Sequence, residues 1–307
     1  MSKRNVPPNE NKVKRAVAKF LQPIIRVFSK KLYISLQYRY ITHHKLNWKN
    51  PTRYTEKLQH LRLYVFPNLP LVIKYADRVG ARELLKEQGL AKHLIPIIGV
   101  YDNVDDIDFH KLPNSFAIKL AHASGYNLIV HDKSSLNITE AKKQIKKWQK
   151  TNYGKKTVEP HYNSIKPRIV IEHLLIEADE LPIEYKIHVF NGKAKYLYVV
   201  TGRGKEIRYS NFYIDWTPFN ESQFNYWKTK EIPPLKPQGY EEMVKLAEQL
   251  GKDVPFVRAD FFLIDGHIYF NEMTFTPAKG TLIFADDLAD FEIGEWLDIS
   301  GYMKKRR

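Results

Sequence analysis

Apolar positions recur along the chain with two periods, and each period predicts a type of element. Over residues 12–31 apolar side chains fall at Val13, Ala16, Val17, Phe20, Leu21, Ile24, Ile25, Val27 and Phe28, close to the i, i+3, i+4, i+7 spacing of one helix face. Lys12, Lys14, Arg15, Lys19, Arg26, Ser29, Lys30 and Lys31 fill the remaining surface. The pattern predicts an amphipathic helix, kinked at Pro23, whose ring removes a backbone donor. Residues 54–64 and 69–88 also read as helices, the second carrying Asp77, Arg78 and Arg82 on an otherwise Leu/Val/Ala pattern. Residues 137–149 form a Lys-rich helix opened by an Asn/Thr cap, and 240–251 a helix ending in glycine.

Short apolar runs predict strands at 95–100, 115–120, 127–130 and 168–175. Asn191-Gly192 joins 184–190 to 193–200, and Asp265-Gly266 joins 257–264 to 267–275. Such dipeptides suit two-residue hairpin turns, whose central residues take positive φ. Hairpin-paired strands with helices between them predict α+β layers and argue against a doubly wound parallel sheet.

Composition narrows the function. The 307 residues include no cysteine, which excludes a disulfide-stapled domain, a thiolate metal site and a cysteine nucleophile. Net charge is +15, and its placement is uneven. Residues 1–62 hold 15 Lys/Arg and two acids, the last four residues are all basic, and residues 63–303 hold 30 basic and 32 acidic side chains. A near-neutral body with basic ends argues against nucleic acid as the partner of the whole chain. The basic helix over 12–31 fits two roles, docking on the body or lying on an anionic membrane surface. Lys19 and Arg26 interrupt any signal-peptide core, so the expected location is the cytoplasm, with the inner face of the membrane as an extension of it. His43 and His44 are adjacent and diverge on any regular backbone, so they read as packing or surface residues.

Three places carry candidate chemistry. On the last hairpin, Arg258 and Asp260 share one strand face, and Glu272 and Thr274 share one face of the partner strand. Two carboxylates and an oxygen donor suit Mg²⁺, which prefers hard oxygen ligands and phosphate. The arrangement has a geometric condition: a plain two-residue turn at Asp265-Gly266 pairs Asp260 with Asn271 and sends Glu272 to the opposite face. A longer loop or one bulge brings Asp260 and Glu272 together. Lys119, on the otherwise apolar run Phe116-Ala117-Ile118-Lys119-Leu120, precedes a small-residue loop with Ser124 and Gly125, a combination that fits phosphate. Glu172 ends the run Ile169-Val170-Ile171, and Glu184-Tyr185-Lys186 opens the next strand.

The order of these residues resembles the motif order of ATP-grasp proteins. Tyr54-Thr55-Glu56-Lys57-Leu58-Gln59, Lys74-Tyr75-Ala76-Asp77-Arg78, Phe190-Asn191-Gly192-Lys193, Pro255-Phe256-Val257-Arg258 and Thr274-Phe275-Thr276-Pro277 look like the ATP-grasp proteins of polysaccharide and teichuronopeptide biosynthesis. The resemblance covers about residues 32–296. It implies an α+β fold of two lobes clamping ATP: a basic segment at 1–50, a helical portion at 51–112, lobe 1 at about 113–170, lobe 2 at about 171–300 and a basic tail at 301–307. It also implies roles. Arg78 and Lys119 bind phosphate beside Ser124 and Gly125, Glu172, His173, Leu174 and Leu175 form the adenine hinge, and Glu184 holds the ribose. Asp260, Glu272 and Thr274 ligate Mg²⁺, Arg258 steadies the transferred phosphoryl group, and Lys186 is the second catalytic candidate. Thr274 stands in the place of the usual Asn and is the weaker donor.

The resemblance implies an ATP-dependent carboxylate–amine ligase that joins an amino acid or peptide to a uronic-acid unit of a surface glycan. Two other readings stay open: a kinase or glycan-modifying transferase acting on a hydroxyl, and a membrane-surface adaptor without catalysis.

Overall fold

The computed structural model describes residues 22–178, 180–223, 229 and 232–303. Half of the helix expected over 12–31, residues 12–21, lies outside these residues. Residues 22–28 are helical straight through Pro23, and the break falls at Ser29 instead. Ser29 is extended at φ −150°, and its hydroxyl accepts from the Leu32 amide at 3.1 Å, so it caps a new helix, α1 (Lys30–Thr42). Helix α1 docks through Ile34, Tyr38 and Thr42, spaced four residues apart on one face, against Leu46 and Val158.

Helix α2 (Tyr54–His60) continues into a π-helical turn, Leu61–Val65. The single helix expected over 69–88 is two, α3 (Pro70–Ala76) and α4 (Arg78–Glu87). Asp77 leaves the helical path at ψ 116° because its carboxylate is committed elsewhere. One oxygen caps the Val79 amide at 3.0 Å and the other accepts from Arg168 at 2.6 Å. The break makes Arg78 the first residue of α4.

Two antiparallel sheets follow. The first has β1 (Ile97–Tyr101), β2 (Phe116–Leu120), β3 (Asn127–Val130) and β4 (Ile169–His173) in the order β1-β4-β2-β3. It therefore takes in β1, upstream of residue 113, because β4 supplies a partner for that otherwise unpaired apolar run. Helix α5 (Ile138–Gln149) is capped by Asn137, which accepts from the Glu140 amide at 3.1 Å, and α6 (Tyr153–Thr157) follows it. The second sheet has β5 (Glu184–Phe190), β6 (Lys193–Thr201), β7 (Arg208–Tyr213), β8 (Phe256–Ile264) and β9 (His267–Thr274) in the order β7-β6-β5-β8-β9. Strand β7 has no alternating apolar signature, since Ser210 and Asn211 sit between aromatic residues; pairing with β6 creates it.

Helix α7 (Tyr240–Gly251) packs on the second sheet, and α8 (Asp287–Glu295) packs on α2. One apolar cluster, including Ile118 and Ile171 of the first sheet and Val189, Leu197 and Phe261 of the second, runs through both. No helix among the described residues is long and apolar enough to cross a membrane.

The α2–α8 contact contains a buried acid. Asp290 accepts from the Thr55 amide at 2.9 Å and the Thr55 hydroxyl at 2.6 Å, with Arg53 at 3.9 Å. Burial pushes the Asp290 carboxyl up to about 7, against the Thr55 hydrogen bonds. An acid whose folded value is raised stabilises the fold fully at low pH, and that contribution is lost as pH rises from about 4 through about 7. Asp290→Asn keeps the acceptor for Thr55 without the charge. Calorimetry is expected to show a Tm gain of roughly 4 °C at pH 8, from about 2 kcal/mol, and little change at pH 5.

Candidate functional site

The register of the last hairpin meets the condition set by its sequence. Asp265 at φ 48° and Gly266 at φ 75° form a two-residue turn, pairing Ile264 with His267. Register then holds through Phe261 opposite Phe270, and shifts so that Asp260 lies opposite Glu272. Asn271 is the extra residue of a bulge. Across the whole sheet this aligns Asn211, Tyr198, Lys186, Asp260 and Glu272 in one row on one face.

The row is a network of charges. Asp260, with no exposed surface, is held by Arg258 through two bonds of 2.6 Å and by the Lys186 ammonium. Lys186 also lies 2.7 Å from Glu184, which is clamped by Arg203 and accepts from Asn271 at 2.8 Å. Arg258 reaches further, to the Tyr198 hydroxyl at 2.9 Å and the Thr274 hydroxyl at 3.0 Å. Glu272 is paired with Arg78 at 2.7 Å, and its other oxygen lies 3.7 Å from Arg258.

The first sheet faces this row with a second group. Lys119 and Glu172 sit on the same side of neighbouring strands, since Ala117 pairs with Glu172, and their charged ends are 2.5 Å apart. Arg82 lies 3.6 Å from Glu172, and Lys119 donates to Asn271 at 3.1 Å, so the bulge residue ties the two sheets together. Arg78, Arg82, Ser124, Glu172, Glu272 and Thr274 line one cleft.

Six cations (Arg78, Arg82, Lys119, Lys186, Arg203, Arg258) thus meet four acids (Glu172, Glu184, Asp260, Glu272). Burial raises both Glu184 and Glu272, but Lys186 with Arg203 holds the first at about 2, and Arg78 with Lys186 and Arg258 holds the second at about 2. Burial also pushes Asp260 upward, against Arg258 and Lys186. The Arg78 Nε is buried with no hydrogen-bond partner. A buried donor left over in a network with more cations than acids is arranged for an anion.

Not every candidate residue converges. The Glu172 side chain is a buried counterion of Lys119 and Arg82 rather than part of an open hinge, whereas His173 is exposed and Leu174 and Leu175 are half-buried where the chain crosses between the sheets. Gly125, at φ 75°, is exposed and does not line the cleft. Arg203, Asn271 and Tyr198 were missed as site residues. Glycines flanking Arg203 and the hairpin condition at Asn271 were the available signals; Tyr198 had none.

Residues 56–298 match the family model described as TupA-like ATP-grasp. The chain belongs to that family. Its fold is the α+β ATP-grasp fold. A search of curated proteins finds no match. Among solved structures, the D-alanine–D-alanine ligase of Bacillus anthracis complexed with ATP shares 15% identity at a TM-score of 0.42, covering 66% of this chain and 56% of the ligase. The L-amino acid ligase of Bacillus licheniformis shares 15% at 0.43, covering 70% of this chain and 44% of that one. An N5-carboxyaminoimidazole ribonucleotide synthetase, as its ADP complex, shares 13% at 0.40, covering 66% and 45%. The chain thus spans about half the length of these proteins.

Removing one partner of a buried pair leaves the other uncompensated. Glu272→Gln is expected to destabilise the protein by about 2 kcal/mol at pH 7, discounted for partial exposure of the glutamate. An acid held low stabilises the fold above its unfolded value near 4.5, and the contribution is lost as pH falls towards about 2. Urea unfolding at pH 7 and pH 3 is therefore expected to show a smaller wild-type-to-variant gap at pH 3.

Proposed function

We propose that this TupA-like ATP-grasp protein is an ATP-dependent carboxylate–amine ligase. The observation that carries the reading is the Asn271 bulge, which sets Asp260 opposite Glu272 in a network of six cations and four acids at the edge of the cleft. The donor set fits magnesium in kind. Glu272, through the oxygen that lies 3.7 Å from Arg258, and Asp260, through the oxygen that Lys186 now contacts, would hold the ion. Among the described residues no group of three His, Cys, Asp or Glu is placed to hold a metal ion, so the two carboxylates would need phosphate and water to complete the shell. Thr274 already accepts from Arg258 and is a poorer candidate for a second ion. Bound magnesium would screen the phosphate charges.

In this reading Arg78 and Lys119 take the phosphates beside Ser124. Their present partners, Glu272 and Glu172, act as place-holding counterions. Residues 172–175 read the adenine through backbone groups, and Glu184, kept ionised by Lys186 and Arg203, accepts from the ribose hydroxyls. Arg258 faces the γ-phosphoryl group. A substrate carboxylate oxygen attacks that phosphorus as the bond to ADP breaks. An amine then attacks the acyl carbon of the acylphosphate, phosphate leaves, and the amine proton passes to solvent. Positioning and charge stabilisation supply the rate, and no side-chain nucleophile takes part. The family resemblance supports a uronic-acid unit of a surface glycan as the carboxylate and an amino acid or peptide as the amine. Use of ATP places the reaction in the cytoplasm.

The protein with ATP and magnesium, offered uronic acids and amino acids, is expected to release ADP and phosphate and to yield an amide by mass spectrometry. Lys119→Ala and Arg258→Ala should each lower ADP release roughly 100-fold. A phosphorylated sugar without an amide would establish a kinase instead, and no thermal stabilisation by ATP and magnesium would remove the nucleotide site.

A further inference from the structure

Helix α1 has two apolar faces and uses only one. Ile34, Tyr38 and Thr42 are buried against the body. Leu32 and Leu36, each two residues back along the same spacing, turn about 200° away from that face. They are 50% and 47% exposed. Just ahead of Ser29, Val27 and Phe28 are 79% and 84% exposed. Neighbouring apolar side chains left exposed in this way mark a surface that something else covers.

The charge around this stripe is of one sign. Residues 22–50 hold Arg26, Lys30, Lys31, Arg39, Lys45 and Lys49 and no acid. Among the described residues none of the six forms an ion pair. Arg26 donates to the Lys156 carbonyl at 2.8 Å, and the Lys31 ammonium lies 5.5 Å from the Trp48 ring centre. The excess continues through residues 1–21, with six Lys/Arg and one acid.

We propose that Val27, Phe28, Leu32 and Leu36, in a segment whose only charges are these cations, form a docking surface for an anionic lipid membrane. A protein partner of matching shape would need acids placed opposite dispersed cations, whereas a lipid surface supplies negative charge everywhere and a hydrocarbon boundary beneath it. Each cation near such a surface strengthens binding roughly fivefold, and the apolar side chains insert at the headgroup boundary. The surface extends the one expected at 12–31 onto α1: Leu32 and Leu36 lie on a helix held to the body by the Tyr38–Thr55 hydroxyl contact of 2.7 Å, so it sets the orientation of the whole enzyme.

The full-length chain is expected to sediment with vesicles of phosphatidylglycerol and phosphatidylcholine, and not with phosphatidylcholine alone. Replacing Phe28, Leu32 and Leu36 together by Asp should weaken that binding tenfold or more, while the melting temperature and ADP release in solution stay unchanged because the three side chains are exposed. The absence of cysteine allows a second readout that avoids the triple variant. Leu36→Cys carrying an environment-sensitive dye should shift its emission to the blue on anionic vesicles. Vesicle binding without that shift would assign the membrane contact to residues 1–21 and overturn the proposal. So would a concentration-dependent dimer in ultracentrifugation that the triple variant abolishes, or no binding to anionic vesicles at all.

Discussion

One extra residue in β9 decides what the second sheet presents. Side chains alternate along a strand, so a plain two-residue hairpin would set Asn271 opposite Asp260 and turn Glu272 to the other face. The bulge moves Glu272 into register with Asp260 and leaves the Asn271 amide free to bond Glu184 on one side and Lys119 on the other. The same residue therefore assembles the carboxylate pair and links the two sheets across the cleft.

The network built on that register is tightly paired yet unbalanced. Every acid in it touches at least one cation, and for Glu184 and Glu272 those cations outweigh burial and hold the carboxyls low, whereas burial still pushes Asp260 upward. Cations exceed acids, and Arg78 retains an unused donor. An incoming polyphosphate would exchange with carboxylates that already hold Arg78 and Lys119 in place, so the side chains need little reorganisation to bind it. Such preorganisation is the means by which a site without a nucleophile lowers a barrier.

Outside the cleft the chain uses polar anchors to fix helices whose own sequence would not hold them. Asp77 stops one helix and caps the next, which sets Arg78 beside Glu272. Arg62, completely buried, donates to the carbonyls of Thr157, Val158 and Lys279 and to Gln59, securing a loop in which Ala278, Lys279 and Gly280 all take positive φ. That loop begins four residues after Thr274, so its strained backbone lies a short way along the chain from the proposed site.

The sequence by itself determined the local elements and their chemistry. The strand at 127–130, the helix at 240–251 and both hairpin turns follow from periodicity and turn residues, because these act within a few positions of the chain. The order of Lys119, Glu172, Glu184, Asp260 and Glu272 was legible for the same reason, as a linear motif. Tertiary structure alone decided the rest. Strand β7 forms because β6 offers an edge, the helix breaks at Asp77 because Arg168 stands opposite it, and Arg203 joins the site because Glu184 lies buried beside it. Even the bulge, stated in the sequence as a condition, was settled only by the need to satisfy Asp260, Glu184 and Lys119 together. Each of these depends on a partner far along the chain, and spacing along a sequence carries no information about distance across a fold.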